Sequence, residues 1–482
     1  LKIKFLYFLL FSIFLTPGIY SQNIDSNVVD KSSDYYLIKE IKIEGNRRTK
    51  ESIIYRELSF RQGDRILKSK ADSLLKWEGN KLFNTNLFIT ANVYKVLTEN
   101  PDEIELLILL KEQWYTIPQL IFEPSDRNLN EWVLQRGTSL DRVNFGVKLF
   151  QRNVRGRNET LRLTLQSGFT QAYEISYEIP YIDKRQTIGI KPFFSYSNNR
   201  SIAYANNQHK LEFIKIPGII RDFSKIGFGL YYRNKFFAQH VLELAYNYNT
   251  IADTVAKLNP EYFLDSRTFQ RYLQLKYVFN YDKRDRRQYA HSGYIFKTEV
   301  EQLGFTNLET QQVSRLTLMY NYYKTLNRHF YLAHKLKAKT TYPNLQPFID
   351  FKGLGYFQDY VRGFELYPID GQSYLLSRNS FRFLAVSKII DFGKLVPLPQ
   401  FRTLPIDIYF NFFADGGIAF NDRPVRTYPL FVSDNARFSN IPIGSVGVGL
   451  HIVTFYNSVM RFEYSYNSAK ELNFFFNLAT DI

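Results

Sequence analysis

From residue 143 onward, apolar and polar side chains alternate almost one for one. Val143, Phe145, Val147 and Leu149 interleave with Asn144, Gly146 and Lys148. Ile226, Phe228, Leu230 and Tyr232 interleave with Gly227, Gly229, Tyr231 and Arg233. Met460, Phe462, Tyr464 and Tyr466 interleave with Arg461, Glu463, Ser465 and Asn467. A period of two is the period of a β-strand, whose successive side chains face opposite sides. Soluble sandwiches alternate too, but they do not put rings outward and charges on the other face with such regularity. A closed sheet with lipid outside and a polar lumen accounts for both faces. The 17% aromatic content, with 36 Tyr and 43 Phe, fits the ring girdles of such a wall. Past the first 20 residues no apolar run is long enough for a spanning helix, and the mean hydropathy is −0.29.

Strand starts fall near residues 143, 159, 172, 187, 208, 224, 240, 269, 293, 313 and 330, then near 378, 405, 445, 457 and 471. The expected fold is mainly β: an antiparallel transmembrane β-barrel of about 16 strands over 143–482. An even count returns the chain to the side where it entered. The stretch 341–377 then joins the eleventh and twelfth strands as the sixth outer loop.

The residues before the barrel read differently. Lys2 and Lys4, the apolar run Phe5 to Leu15, Pro17-Gly18 and the small-residue site before Gln22 make residues 1–21 an expected signal peptide. Residues 22–34 read as a polar, flexible leader. Residues 35–116 read as strand, helix, helix, strand, strand, one small α/β domain. Thr49 is placed to cap its first helix, with Ile53, Ile54 and Leu58 at helical spacing. Residues 117–142 are read as a linker.

The +16 formal charge is spread along the chain. Its basic residues alternate with apolar ones, which suits solvated loops and lumen walls and argues against nucleic acid; attraction to phosphate-rich lipopolysaccharide is a sharper reading. Without cysteine, disulfides, thiolate metal sites and an acylated lipoprotein anchor are excluded. No G-x-S-x-G elbow occurs, and His209, His240, His291, His329, His334 and His451 have no ligand spacing. No catalytic residue, metal site or cofactor is therefore expected.

Several short tracts recur in a fixed order. IKIEGN, the Gly63-Asp64 pair and LFNTNLF (82–88) resemble a POTRA domain. Asn153-Val154-Arg155-Gly156-Arg157-Asn158, SYEIPYI (176–182), NYDKRDRRQYAHSGY (280–294), VRGF (361–364), FFADGG (412–417) and GSVGVGL (444–450) resemble the barrel of the BamA/TamA superfamily of outer-membrane assembly and translocation proteins. The resemblance covers essentially residues 36–482. It implies an outer-membrane barrel in a Gram-negative bacterium with the POTRA domain in the periplasm. It also implies a sixth outer loop whose Arg-Gly tip folds back into the lumen.

On that basis Val361, Arg362, Gly363 and Phe364 are the expected loop tip, with Arg362 pairing bidentately to Asp415 on the thirteenth strand. FRFLAVSKII, the twelfth strand, lacks the Glu that the family often offers as a second partner. The expected seam joins the first strand, with Val143, Phe145 and Val147, to the last, with Leu472, Phe474 and Phe476. In the family this short pairing can open, and an open edge templates an incoming strand. The last strand lacks a glycine to kink it. The function implied is insertion of unfolded outer-membrane proteins, with periplasmic chaperones or accessory lipoproteins as further partners. The alternatives are a pore exporting one secreted protein and a passive accessory barrel.

Overall fold

The computed structural model describes residues 34–480, apart from 127–128, 234–235, 288, 307–308, 394–395, 397–401, 423–436 and 455–457. The expected signal peptide and all but the last residue of the leader lie outside the described residues.

The α/β domain comprises β1 (Tyr35–Glu44), α1 (Glu51–Glu57), β2 (Arg65–Leu67), α2 (Ala71–Phe83), β3 (Phe88–Leu97) and β4 (Glu103–Glu112). Its sheet order is β2-β1-β4-β3, with β1 and β4 parallel. Ile104, Leu106, Ile108 and Leu110 occupy one face of β4 by simple alternation, and all are buried. Ile53 and Ile54 of α1 and Leu75 and Leu82 of α2 close the same core, the two leucines lying seven residues apart on one stripe. Gly45 ends β1 at φ +93°, where an added Cβ would lie 1.9 Å from the Leu110 carbonyl oxygen. Thr49 does not cap α1: Lys50 occupies that position, and Thr49 Oγ1 instead donates to Glu112 Oε1 at 2.7 Å.

Sixteen antiparallel strands form the barrel sheet. They are β5 (Thr116–Pro124), β6 (Val143–Val154), β7 (Glu159–Gly168), β8 (Thr170–Glu178), β9 (Ile188–Asn199), β12 (Arg221–Tyr232), β13 (Ala238–Ile251) and β14 (Phe269–Asp282). They continue with β15 (Gly293–Leu303), β16 (Val313–Thr325), β17 (Phe330–Tyr342), β18 (Ser373–Asp391), β19 (Thr403–Phe420), β20 (Ile443–Val453), β21 (Ser458–Asn467) and β22 (Leu472–Thr480). A helix, α3 (Leu129–Arg136), lies between β5 and β6, and another, α4 (Asp253–Leu258), follows β13. The two remaining strands, β10 (Ser201–Asn207) and β11 (Lys210–Lys215), pair only with each other.

Two sequence expectations are corrected, and their errors cancel in the count. Residues expected as a linker contain β5, the first barrel strand, paired with β6 from Thr116–Gln151 to Pro124–Val143. Its TIPQLIFEP sequence carries two prolines, which hides the strand signal. Proline is tolerated because β5 is the edge of the sheet, where a missing N–H need not break a ladder. The strand expected near 208 is β11, six residues long. That is too short to cross a bilayer, which takes roughly 9–11 residues. From the sixth barrel strand onward the expected and observed orders coincide, so the loop 343–372 still joins the eleventh and twelfth strands.

The α/β domain is fastened to the near end of the barrel. Lys50 N–H donates to the Gly156 carbonyl at 3.0 Å, and Asn153 Nδ2 donates to Thr49 Oγ1 at 2.9 Å. Arg233, just past β12, makes a two-pronged pair with Glu57 of α1 at 2.8 and 2.9 Å. Burial pushes the Glu57 carboxyl up, but the Arg233 guanidinium outweighs it and holds the group below the ordinary carboxylate range. At the far end, the β10–β11 hairpin reaches the long loop, with Asn206 Nδ2 donating to the Pro368 carbonyl at 3.0 Å.

Candidate functional site

The loop 343–372 folds down into the lumen, because its apolar residues find no other cover. Leu354, Val361, Phe364 and Ile369 are all but fully buried, packed with Tyr374 and Leu376 of β18, Ala419 of β19 and Ile443 of β20. This seating brings Arg362 to Asp415. Arg362 Nε and Nη2 each donate at 2.7 Å to one oxygen of the carboxylate, the fork geometry that fixes orientation as well as distance. The guanidinium also lies 3.9 Å from the centre of the Phe413 ring. Nη2 reaches Ser380 Oγ at 3.2 Å.

A second carboxylate is present on an unexpected strand. Arg362 Nη1 donates to Glu463 Oε1 at 3.1 Å, from β21 rather than from the twelfth strand. Glu463 continues into a buried chain: His451 Nε2 lies 3.2 Å from Glu463 Oε1, and Tyr289 Oη lies 2.7 Å from His451 Nδ1. The sequence signal for Glu463 was its place on the polar face of the β21 alternation. Which polar-face carboxylate meets the loop depends on strand order and shear, which no local pattern carries.

Gly363 stands at φ +88°, and a Cβ there would lie 2.9 Å from Ser465 Oγ. Its carbonyl accepts from Asn467 Nδ2 of β21 at 2.8 Å and from Asn473 Nδ2 of β22 at 3.3 Å. Tyr367 Oη donates to Glu471 Oε1, just before β22, at 2.7 Å. The loop tip is thus bonded to the last two strands of the barrel.

The expected seam residues do not meet. Val143, Phe145 and Val147 lie on β6, registered against Pro124, Phe122 and Leu120 of β5 on one side. On the other side β6 pairs with β7, where Phe145 faces Ser167. The sheet runs from β5 at one end to β22, with Leu472, Phe474 and Phe476, at the other, because it begins one strand earlier than the alternation suggests. Among the described residues, β5 and β22 share no ladder, whereas every other neighbouring pair does. Leu120 and Phe122 on this edge are 82% and 74% exposed, the values expected of a strand with a neighbour on one side only. Helix α3 meets the β22 end of the sheet through Asn130, whose side chain bonds the main chain of Phe476.

No group of three or more His, Cys, Asp or Glu among the described residues could hold a metal ion.

Comparison with known proteins agrees with this architecture. Residues 153–481 match the Omp85 superfamily domain, and residues 36–113 match the POTRA family, described as a surface antigen variable number repeat. No curated protein matches the chain. CdiB from Escherichia coli is similar in fold, with TM-score 0.54 and 10% identity over 92% of this chain and 75% of that one. BamA from Haemophilus ducreyi lacking POTRA domains 1–3 is similar too, with TM-score 0.51 and 14% identity over 92% and 83% of the two chains. The chain belongs to the Omp85 superfamily of outer-membrane β-barrels, with a POTRA domain at residues 36–113 ahead of the barrel.

Proposed function

We propose that this protein inserts other proteins into the outer membrane through the seam between β5 and β22, with the POTRA domain on the periplasmic side. The observation that carries the reading is the absent β5–β22 ladder. An edge strand presents a row of unpaired N–H and C=O groups, and an incoming strand gains main-chain hydrogen bonds by pairing with it. No covalent chemistry is needed. Wall height supports the same place: β5 and β22 have 9 residues each, against 19 and 18 in β18 and β19. At roughly 3.3 Å per residue the wall at the seam is about half as long, which favours local thinning of the bilayer.

The Arg362 latch belongs to this reading because Gly363 is bonded to Asn473 on β22. The seated loop braces the last strand while the seam works. Unfolded outer-membrane proteins are the proposed substrates, delivered by periplasmic chaperones or accessory lipoproteins. The free edge of β3 in the POTRA sheet, with Tyr94, Val96 and Leu97 exposed, offers them a first contact. The basic chain meets outer-leaflet lipopolysaccharide at the far end.

Export of a single soluble protein is the second reading, favoured by the fold shared with CdiB. It requires the loop 343–372 to leave the lumen and break both Arg362 ion pairs. A photoreactive residue at Leu120 of β5, in cells, separates the two. Capture of outer-membrane barrel precursors supports insertion. Capture of one soluble secreted protein sinks it in favour of export, and no capture in an expressing, folded strain sinks both.

A further inference from the structure

Asn130 sits in the first turn of α3 and is 9% exposed. Its Nδ2 donates to the Phe476 carbonyl at 3.3 Å, and its Oδ1 accepts from the Phe476 N–H at 3.3 Å. Phe476 is the middle residue of β22. In an antiparallel strand the N–H and C=O of one residue point to the same side. Those of Phe476 point away from β21 and into the seam. A primary amide carries the same donor and acceptor as a peptide group, so Asn130 satisfies both as a neighbouring strand would.

The helix is held in this place from the far end. Arg136 Nη2 donates to the Leu211 carbonyl of β11 at 3.1 Å. Arg142 Nε lies 3.0 Å from both oxygens of Asp126, whose side chain is fully buried, and its guanidinium lies 4.2 Å from the centre of the Phe213 ring. Val133 and Leu134 remain 47% and 64% exposed. Both the anchor and the β10–β11 hairpin it grips lie outside the barrel sheet.

We propose that α3 is a latch on the seam, and that Asn130 occupies the strand-binding edge of β22 as a resident stand-in for an incoming backbone. An extended strand pairs with β22 only after Asn130 leaves. The two edges are therefore unequal: among the described residues β5 carries no such cover, and β22 is guarded. This inference rests on the insertion reading for its purpose, but the latch itself is tested without it.

The test is hydrogen exchange by mass spectrometry on the full chain in lipid nanodiscs, comparing wild type with Asn130→Ala, Asn130→Asp and Val133→Ala. With the amide gone, the Phe476 N–H, read on peptides within 472–480 that span it, should exchange roughly fivefold to tenfold faster, the cost of about one net hydrogen bond. Asn130→Asp keeps an acceptor and loses the donor, so it should fall between. Residues 458–467 and the Val133→Ala protein should exchange as wild type. Heat-modifiable migration on a gel establishes that each variant is a folded barrel. Wild-type exchange of 472–480 in folded Asn130→Ala protein overturns the latch, whatever the insertion activity. Each protein is then offered a photoreactive synthetic peptide copying residues 472–480. Faster exchange with increased capture in Asn130→Ala supports latch and insertion reading together. Faster exchange with no gain in capture keeps the latch and counts against the insertion reading.

Discussion

Arg362 is nearly buried between two carboxylates, and each of the three charges depends on the others. Replacing it by Ala leaves Asp415 and Glu463 buried without their shared cation. Breaking a buried pair in this way costs about 3–5 kcal/mol. Arg362→Ala is therefore expected to release the loop 343–372, read as new protease cleavage within it. Asp415→Ala is expected to be milder, since Glu463 still holds Nη1. Gly363→Ala strains a positive φ and pushes against Ser465, and should cost about 1–2 kcal/mol of loop seating, with partial cleavage in the same assay. Wild-type resistance in all three variants would show that these contacts do not hold the loop. At this scale the sequence was informative where a motif marks both partners, as VRGF and FFADGG do. It was silent on Glu463, Asn467 and Asn473, which are ordinary polar-face residues until the strands are ordered in space.

Elements were legible where their period was unbroken. Both helices and all four strands of the α/β sheet, apart from three-residue β2, follow from spacing and turn residues. The failures have local causes: Pro118 and Pro124 mask β5, and an alternating hairpin outside the barrel passes for a wall strand. The contact between elements at the near end makes a pH-dependent prediction. Glu57 has its folded pKa held below the unfolded value, chiefly by Arg233 once burial is overcome. Its contribution is present in full above the ordinary Glu range and is lost as pH falls through the lowered folded value. Docking of the POTRA domain on the barrel should hold at neutral pH and weaken only in acid. Glu57→Gln should loosen it by about 2 kcal/mol at neutral pH and approach wild type in acid. Protease sensitivity of the junction 112–116, followed from neutral pH to about pH 3, reads both. Equal sensitivity of Glu57→Gln and wild type at neutral pH would show that other contacts fix the domain.

At the scale of the molecule, the barrel is a sheet of sixteen strands whose two ends share no ladder among the described residues. The lumen loop is bonded to one of those ends through Gly363, and α3 through Asn130. The POTRA domain stands below, gripping the first turns of the barrel. Insertion by the proposed route requires the β5–β22 gap to open. The absence of cysteine allows a direct test. Cysteines at Leu120 and Phe474, joined by a short thiol crosslinker, would fasten the seam in proteoliposomes supplied with an unfolded outer-membrane barrel. Insertion should stop on crosslinking and return when a cleavable linker is cut. Insertion that proceeds at the same rate with the seam fastened would contradict the account.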